Sequence, residues 1–254
     1  MTSGREFKKR LASGRVQVGM WACTGSPMVT EICAGAGFDW LLIDAEHAPN
    51  DLHSILAQLR ATQAYPSAVA VRAPTGDPVI IKRYLDLGVV NIVIPMVESA
   101  DDARELVRAV RYPPAGIRGV GAGLARVSQW GRDATYLSRA DETITLIVQV
   151  ESAAAVAAAA EIASVDGVGG VFIGPADLAA SMGLLGQQAH PEVVAAVERC
   201  IDTVRSVGKP VGVNAFDENL ARRYIERGVQ FILVDADVRI LARGSDSVAA
   251  TYRS

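Results

Sequence analysis

The chain has 254 residues, half of them apolar and only 6% aromatic, with 25 Lys+Arg against 28 Asp+Glu and a formal net charge of −3. With no basic cluster beyond Lys8-Lys9-Arg10, this balance excludes a polyanion-binding surface, and nucleic acid with it. No apolar run approaches the roughly 18 residues of a membrane span, the N-terminus is polar through Arg15, and Cys23, Cys33 and Cys200 lack metal-ligand spacing, so the expected setting is a reducing cytoplasm away from membranes.

Short β-branched runs alternate with Ala/Leu/charge-rich stretches. Strands are predicted at 16–21, 38–44, 68–72, 90–95, 144–150, 169–173, 210–214 and 230–234. The intervening segments carry apolar residues at spacings of three and four: Ile55, Leu56 and Leu59; Ile80, Ile81, Tyr84 and Leu85; Val193, Val194, Val197 and Ile201. Gly37, Gly88, Gly208 and Gly228 stand where helices close. Eight βα units in this length imply a single-domain α/β protein, a (β/α)8 TIM barrel over residues 1–254. An open doubly wound sheet is the alternative. The alanine-rich stretch 153–160 reads as one packed helix. One segment breaks the rhythm: Tyr112-Pro113-Pro114-Ala115-Gly116-Ile117-Arg118-Gly119-Val120-Gly121-Ala122-Gly123. A long irregular connection is usually functional, and it is expected on the C-terminal face, where barrel active sites lie.

The strand ends carry the chemistry. Strand two runs into Asp44-Ala45-Glu46-His47, where Asp44 can orient His47 for proton transfer near neutral pH; the same residue types also serve turns and caps. Arg72 closes an apolar strand and needs an anion or solvent; its planar fork suits a carboxylate or an enolate oxygen. Gln149 and Glu151 share one side of strand five by alternation. Asp177 follows strand six, about 4.8 Å away. Glu151 and Asp177 can share a hard cation such as Mg²⁺ or Mn²⁺, or Asp177 caps the helix after it. Gly119-Val120-Gly121-Ala122-Gly123 is not a dinucleotide-binding fingerprint, His53 and His190 read as surface or helix-start residues, and no lysine closes a strand, so a Schiff-base mechanism lacks its nucleophile.

Leu41-Leu42-Ile43-Asp44-Ala45-Glu46-His47-Ala48-Pro49-Asn50, Val71-Arg72, Tyr112 to Gly121, Gln149-Val150-Glu151 and Phe172-Ile173-Gly174-Pro175-Ala176-Asp177-Leu178 together resemble the class II, metal-dependent pyruvate aldolases of the 4-hydroxy-2-oxoheptanedioate and 2-dehydro-3-deoxyglucarate type. The resemblance spans nearly the whole chain in order. It implies a divalent-metal-dependent (Mg²⁺, Mn²⁺ or Co²⁺) carbon–carbon lyase in a pathway such as aromatic catabolism. Its substrate would be a 4-hydroxy-2-oxo acid (4-hydroxy-2-oxoheptanedioate-like), cleaved to pyruvate and an aldehyde by way of a pyruvate enolate. The alternative is a 2-dehydro-3-deoxyglucarate aldolase or another enolate-forming 2-oxo acid lyase; a non-catalytic binding barrel is the competing class.

By the same resemblance, Glu151 and Asp177 are metal ligands, and Arg72 holds the enolate oxygen. Gln149 and the backbone N–H groups of Ala176 and Asp177 contact pyruvate, His47 and Asp44 form the base-and-orienter pair, and Trp21 and Asn214 also line the substrate site. Family members form hexamers with a C-terminal helix exchanged between subunits. Ala45, Asn214 and the sequence Val234-Asp235-Ala236-Asp237 depart from the family pattern. Asn214 stands where an apolar residue is expected near the aldehyde. Arg118 and Arg126 are candidates for binding a second carboxylate, with a purely structural role as the alternative.

Overall fold

In a computed structural model describing residues 4–253, the eight runs form parallel strands. They are β1 (Gln17–Ala22), β2 (Trp40–Asp44), β3 (Ala68–Arg72), β4 (Asn91–Ile94), β5 (Thr145–Val150), β6 (Val168–Ile173), β7 (Val211–Asn214) and β8 (Phe231–Ala236). Each pairs with the next and β8 pairs with β1, so the sheet closes into a barrel. Both faces of every strand are then covered, which is why the runs are continuously apolar rather than alternating. The limits lie within one or two residues of those predicted.

The helices are α1 (Gly4–Ala12), α2 (Pro27–Gly35), α3 (Leu52–Ala61), α4 (Pro78–Asp86), α5 (Ala100–Val110), α6 (Tyr136–Thr143), α7 (Ala153–Ala157), α8 (Ala159–Ser164), α9 (Pro175–Ser181), α10 (Pro191–Ser206), α11 (Glu218–Glu226) and α12 (Asp237–Tyr252). Their predicted apolar faces, including Ile55, Ile81, Leu85, Val197 and Ile201, are fully buried against the outside of the barrel. Gly88 and Gly228 adopt φ of 94° and 101°, the left-handed conformation expected where α4 and α11 close. The alanine stretch differs from expectation: it breaks at Ala158 into α7 and α8, and nothing in a run of alanines signals the break. Among the described residues, no helix is long and apolar enough to cross a membrane.

A cluster of aromatic residues fills the barrel lumen. Trp40, Phe172 and Phe231 meet at centroid distances of 5.7–6.4 Å, and Phe7 of α1 closes on Trp40 at 5.8 Å. Gly19 and Gly212 make this packing possible: an added Cβ would lie 2.4 Å from the Trp40 ring and 2.3 Å from the Phe231 ring. Gly212→Ala is therefore expected to destabilise the barrel by about 1–3 kcal/mol through overpacking. Thermal unfolding reads this directly; an unchanged Tm would mean that Phe231 has room to move.

The irregular segment lands on the face opposite to the one predicted. It follows α5, not β4; residues 95–99 already make the β4-to-α5 connection, and a helix-to-strand connection lies at the N-terminal ends of the strands. There the side chain of Arg118, fully buried, donates to Asp86 Oδ1 and to Tyr136 Oη at 2.9 Å each and lies 4.5 Å over the Tyr112 ring. Arg126 donates to Leu87 O at 2.8 Å. Both arginines hold the segment to the end of α4 and neither lines the C-terminal cavity, which corrects the reading of them as carboxylate binders in the barrel mouth of their own chain. Arg118→Ala should cost about 3 kcal/mol by leaving buried polar partners unpaired. Urea denaturation checks it, with no change expected in discrimination between acidic and neutral aldehydes.

Candidate active site

The C-terminal ends of the strands open on a cavity of about 290 Å³. Trp21, Asp44, His47, Arg72, Gln149, Ala176, Asp177 and Asn214 all line it, so residues read separately from six of the eight strands and their following loops converge there. Glu151 is buried beside it and joins it through Gln149.

Strand register dictates the central contact. Asp44 and Arg72 are direct neighbours across β2 and β3. Arg72 Nε and Nη2 donate to Asp44 Oδ1 and Oδ2 at 2.8 Å each, and Nη1 lies 2.8 Å from Glu46 Oε2. The guanidinium also sits 4.4 Å from the centre of the Trp21 ring. A bidentate carboxylate pair, a second carboxylate and an aromatic face hold the cation rigidly. Burial pushes the Glu46 carboxyl up from the usual glutamate range, with Arg72 opposing. Arg72 is 6% exposed, and one N–H on each terminal nitrogen is left for a ligand.

This geometry corrects the expected Asp44–His47 pair. The Asp44 carboxylate is committed to Arg72 and to the Glu46 N–H, while the carboxylate beside His47 is that of Glu46, at 3.8 Å from Nε2. Asp44 ends a strand and faces its cross-strand neighbour; His47 lies beyond, in the loop, with its side chain 65% exposed to the cavity mouth. The capping role falls to Asp51, which caps α3.

Directly after β5, Glu151 Oε1 accepts from the Met96 N–H at 2.7 Å and Oε2 accepts from Gln149 Nε2. Burial pushes the Glu151 carboxyl up to about 7; Asp177 and Glu46 add to the rise, and the two hydrogen bonds oppose it. Gln149 Oε1 is buried with no partner. Asp177 lies in the first turn of α9 without capping it, since Gly174 is the N-cap and no side chain bonds there. Among the described residues, no group of three or more His, Cys, Asp or Glu is set to hold a metal. A cation here would have only the two carboxylates of Glu151 and Asp177, completed by water or substrate oxygens, a set that suits a hard divalent ion. The orphaned Gln149 acceptor fits the same picture, because it needs a donor such as an ordered water.

Other lining groups set the walls. Burial, with Asp44 and Asp237 nearby, pushes the Cys23 thiol up to about 12, so it is a neutral wall and not a nucleophile. Trp21 Nε1 donates to Asn214 Oδ1 at 2.9 Å. Asp237 accepts from Cys23 N, Thr24 N, Thr24 Oγ1 and Val238 N, and so ties the loop after β1 to the start of α12. His190 accepts from the Glu192 N–H at the start of α10, as its helix-start reading implied.

Three contributors escaped the sequence reading. Glu46 is legible only as one acid in an acidic run. Met96 takes φ of 56°, which aims its N–H at Glu151, and a methionine carries no signal for that conformation. Gly174 is required by contact: a Cβ there would lie 2.8 Å from Glu151 Oε2 and 3.2 Å from Gln149 Nε2.

Residues 17–243 match the family described as HpcH/HpaI aldolase/citrate lyase. The chain is 53% identical over 247 residues to a hydroxypyruvate/pyruvate aldolase of Deinococcus radiodurans, covering 97% of this chain and 89% of the relative. It is 50% identical over 246 residues to a 4-hydroxy-2-oxo-heptane-1,7-dioate aldolase of Salmonella dublin, covering 97% and 94%. A crystal structure of an HpcH/HpaI aldolase/citrate lyase family protein from Burkholderia cenocepacia J2315 superposes with a TM-score of 0.94 at 42% identity, covering 98% and 100%.

Proposed function

The chain belongs to the HpcH/HpaI aldolase/citrate lyase family and is an aldolase, and from that premise we propose that it reversibly cleaves a 4-hydroxy-2-oxo acid to pyruvate and an aldehyde, with a divalent cation held by Glu151 and Asp177. The observation that carries the reading is the convergence on one cavity of a rigid buried guanidinium, the Asp177 carboxylate and an unpartnered Gln149 acceptor, with the Glu151 carboxylate buried beside Gln149. A divalent cation bound there supplies electrophilic stabilisation of the negative charge that develops on the 2-oxo acid.

The chain's own groups divide the rest. Gln149 and the first-turn N–H groups of Ala176 and Asp177 orient the 2-oxo acid, its carboxylate at a helix N-terminus. His47 takes the proton of the C4 hydroxyl, directly or through one water, and Glu46 beside it steadies the imidazolium. The C3–C4 bond breaks, the C4 carbon leaves as the aldehyde, and the electron pair delocalises onto the C2 oxygen. The free N–H groups of Arg72 meet that charge, already in place and held by Asp44 and Glu46, so no reorganisation accompanies the step. The proton then returns to C3, giving pyruvate.

Pyruvate release from a 4-hydroxy-2-oxo acid is the test, followed with and without exhaustive chelation. Release that is stopped by the chelator and restored by Mg²⁺, Mn²⁺ or Co²⁺ is expected; release indifferent to chelation overturns the cation's part. Association of copies belongs to the same reading. α12 presents Ile240, Leu241, Val248 and Tyr252 at 50–82% exposure, an apolar surface suited to a subunit contact. Sedimentation is expected to give a hexamer, and a monomer at micromolar concentration would exclude it.

A further inference from the structure

We propose that Asn214 selects the aldehyde, favouring one with a hydroxyl or oxo oxygen on the carbon next to its carbonyl, and that a second chamber beyond Asn214 takes the rest of a hydroxylated chain. The inference rests on the aldolase reading above.

The orientation of the Asn214 amide is decided by chemistry. Indole N–H only donates, so the atom 2.9 Å from Trp21 Nε1 is the amide oxygen. The Nδ2 donors therefore point away from Trp21, and no described residue accepts from them. Trp21 is held in turn by the Arg72 guanidinium over its ring, so the amide is kept from flipping. Arg72, Gln149, Asp177 and Asn214 line the one cavity, but only Asn214 and Phe216, with Pro175 and Ala176, also border the cavity next to it; Asn214 therefore stands on the side away from the donor-binding groups, at the end of β7. A C3–C4 bond built at the donor end places the next acceptor carbon toward that amide.

Asn214 also borders a second cavity of about 300 Å³, which shares Pro175, Ala176 and Phe216 with the first. Its far wall includes Leu220 and Tyr224 of α11. Tyr224 is 1% exposed and its hydroxyl has no hydrogen-bond partner, an unusual cost in a buried phenol unless a ligand group or water meets it. Two polar groups without a protein partner, the Asn214 amide donors and the Tyr224 hydroxyl, thus line adjoining cavities that share four residues, and an apolar aldehyde would desolvate them without replacing the lost water.

Glycolaldehyde and propanal have the same number of heavy atoms and differ in a hydroxyl against a methyl group. With pyruvate as donor and added Mg²⁺, the ratio of kcat/KM for glycolaldehyde over propanal should fall about 10- to 100-fold in Asn214→Leu relative to wild type. Dividing by the wild-type ratio removes the intrinsic reactivity of the two aldehydes. Asn214→Asp keeps the size and loses the donors, and should show the same fall; it decides the matter if the leucine variant does not fold. Tyr224→Phe should lower kcat/KM for erythrose about tenfold relative to glycolaldehyde, and an unchanged ratio overturns the role of the second chamber. The donor half is tested apart, by metal-dependent proton exchange at pyruvate C3 in the wild type. If exchange is absent, the aldolase mechanism and this inference fall together. If exchange is present and the Asn214 ratios are unchanged, only this inference falls.

Discussion

Arg72→Ala is expected to lower kcat/KM about a hundred- to a thousandfold and to cost about 3–5 kcal/mol of folding stability at neutral pH. Both effects follow from one arrangement. Arg72 is 6% exposed and balances the nearly buried carboxylates of Asp44 and Glu46. Truncation leaves two like charges facing each other where water does not compensate them, and they can be relieved only by taking up a proton. Arg72→Lys separates the two roles. Lysine restores a positive charge and should recover most of the stability, yet it lacks the fork that grips Asp44 at two points while presenting N–H groups to the substrate. Urea denaturation and proton exchange at pyruvate C3 are the two readouts. A lysine variant with wild-type exchange would refute the assignment of Arg72 to the enolate oxygen.

Glu151→Gln is expected to abolish metal-dependent turnover, by about a thousandfold or more, while stabilising the metal-free protein above neutral pH. The sign follows from the direction of the shift. The folded Glu151 carboxyl titrates at about 7, against 4.5 for an ordinary glutamate. The folded state therefore holds this proton to a higher pH than the unfolded state does. The stability it contributes is complete below about 4.5 and lost as pH rises through about 7, a difference of at most about 3 kcal/mol. Glutamine imitates the protonated acid and does not titrate. It still accepts from the Met96 N–H, and a flip of Gln149 turns its unpartnered oxygen toward the new amide. Thermal unfolding of chelator-treated protein between pH 5 and 8 should show wild-type stability falling more steeply than that of the variant. Parallel curves would mean that Glu151 is ionised throughout, and that burial does not govern it.

These two side chains show how unevenly the site was legible. Arg72 and Glu151 stand out at the end of an apolar run, because an ionisable group closing a buried strand requires a partner. The partners themselves were only half readable. Closeness in sequence suggests pairing Asp44 with His47, but a strand-end carboxylate faces the neighbouring strand, where the register places Arg72. Glu46 took the position beside His47 instead. For Arg118 and Arg126 the length of their segment suggests the mouth of the barrel, with a structural role as the alternative, and the structure gives them the structural one. The connection after a helix returns to the N-terminal face, whatever its length, so they brace α4.

By itself, then, the sequence determined eight βα units, a length that fits a closed barrel, and which polar residues stand at strand ends. Those are consequences of hydrophobic periodicity and of helix-closing glycines, both local in the chain. Only the tertiary structure decided which charge meets which, that Gly174 must lack a side chain to admit Glu151, that Met96 turns its N–H inward, and that the indole of Trp21 fixes the amide of Asn214. Each of those depends on strand register and barrel closure, which bring residues as far as 214 positions apart within 3 Å of each other, and no spacing along the chain encodes that distance.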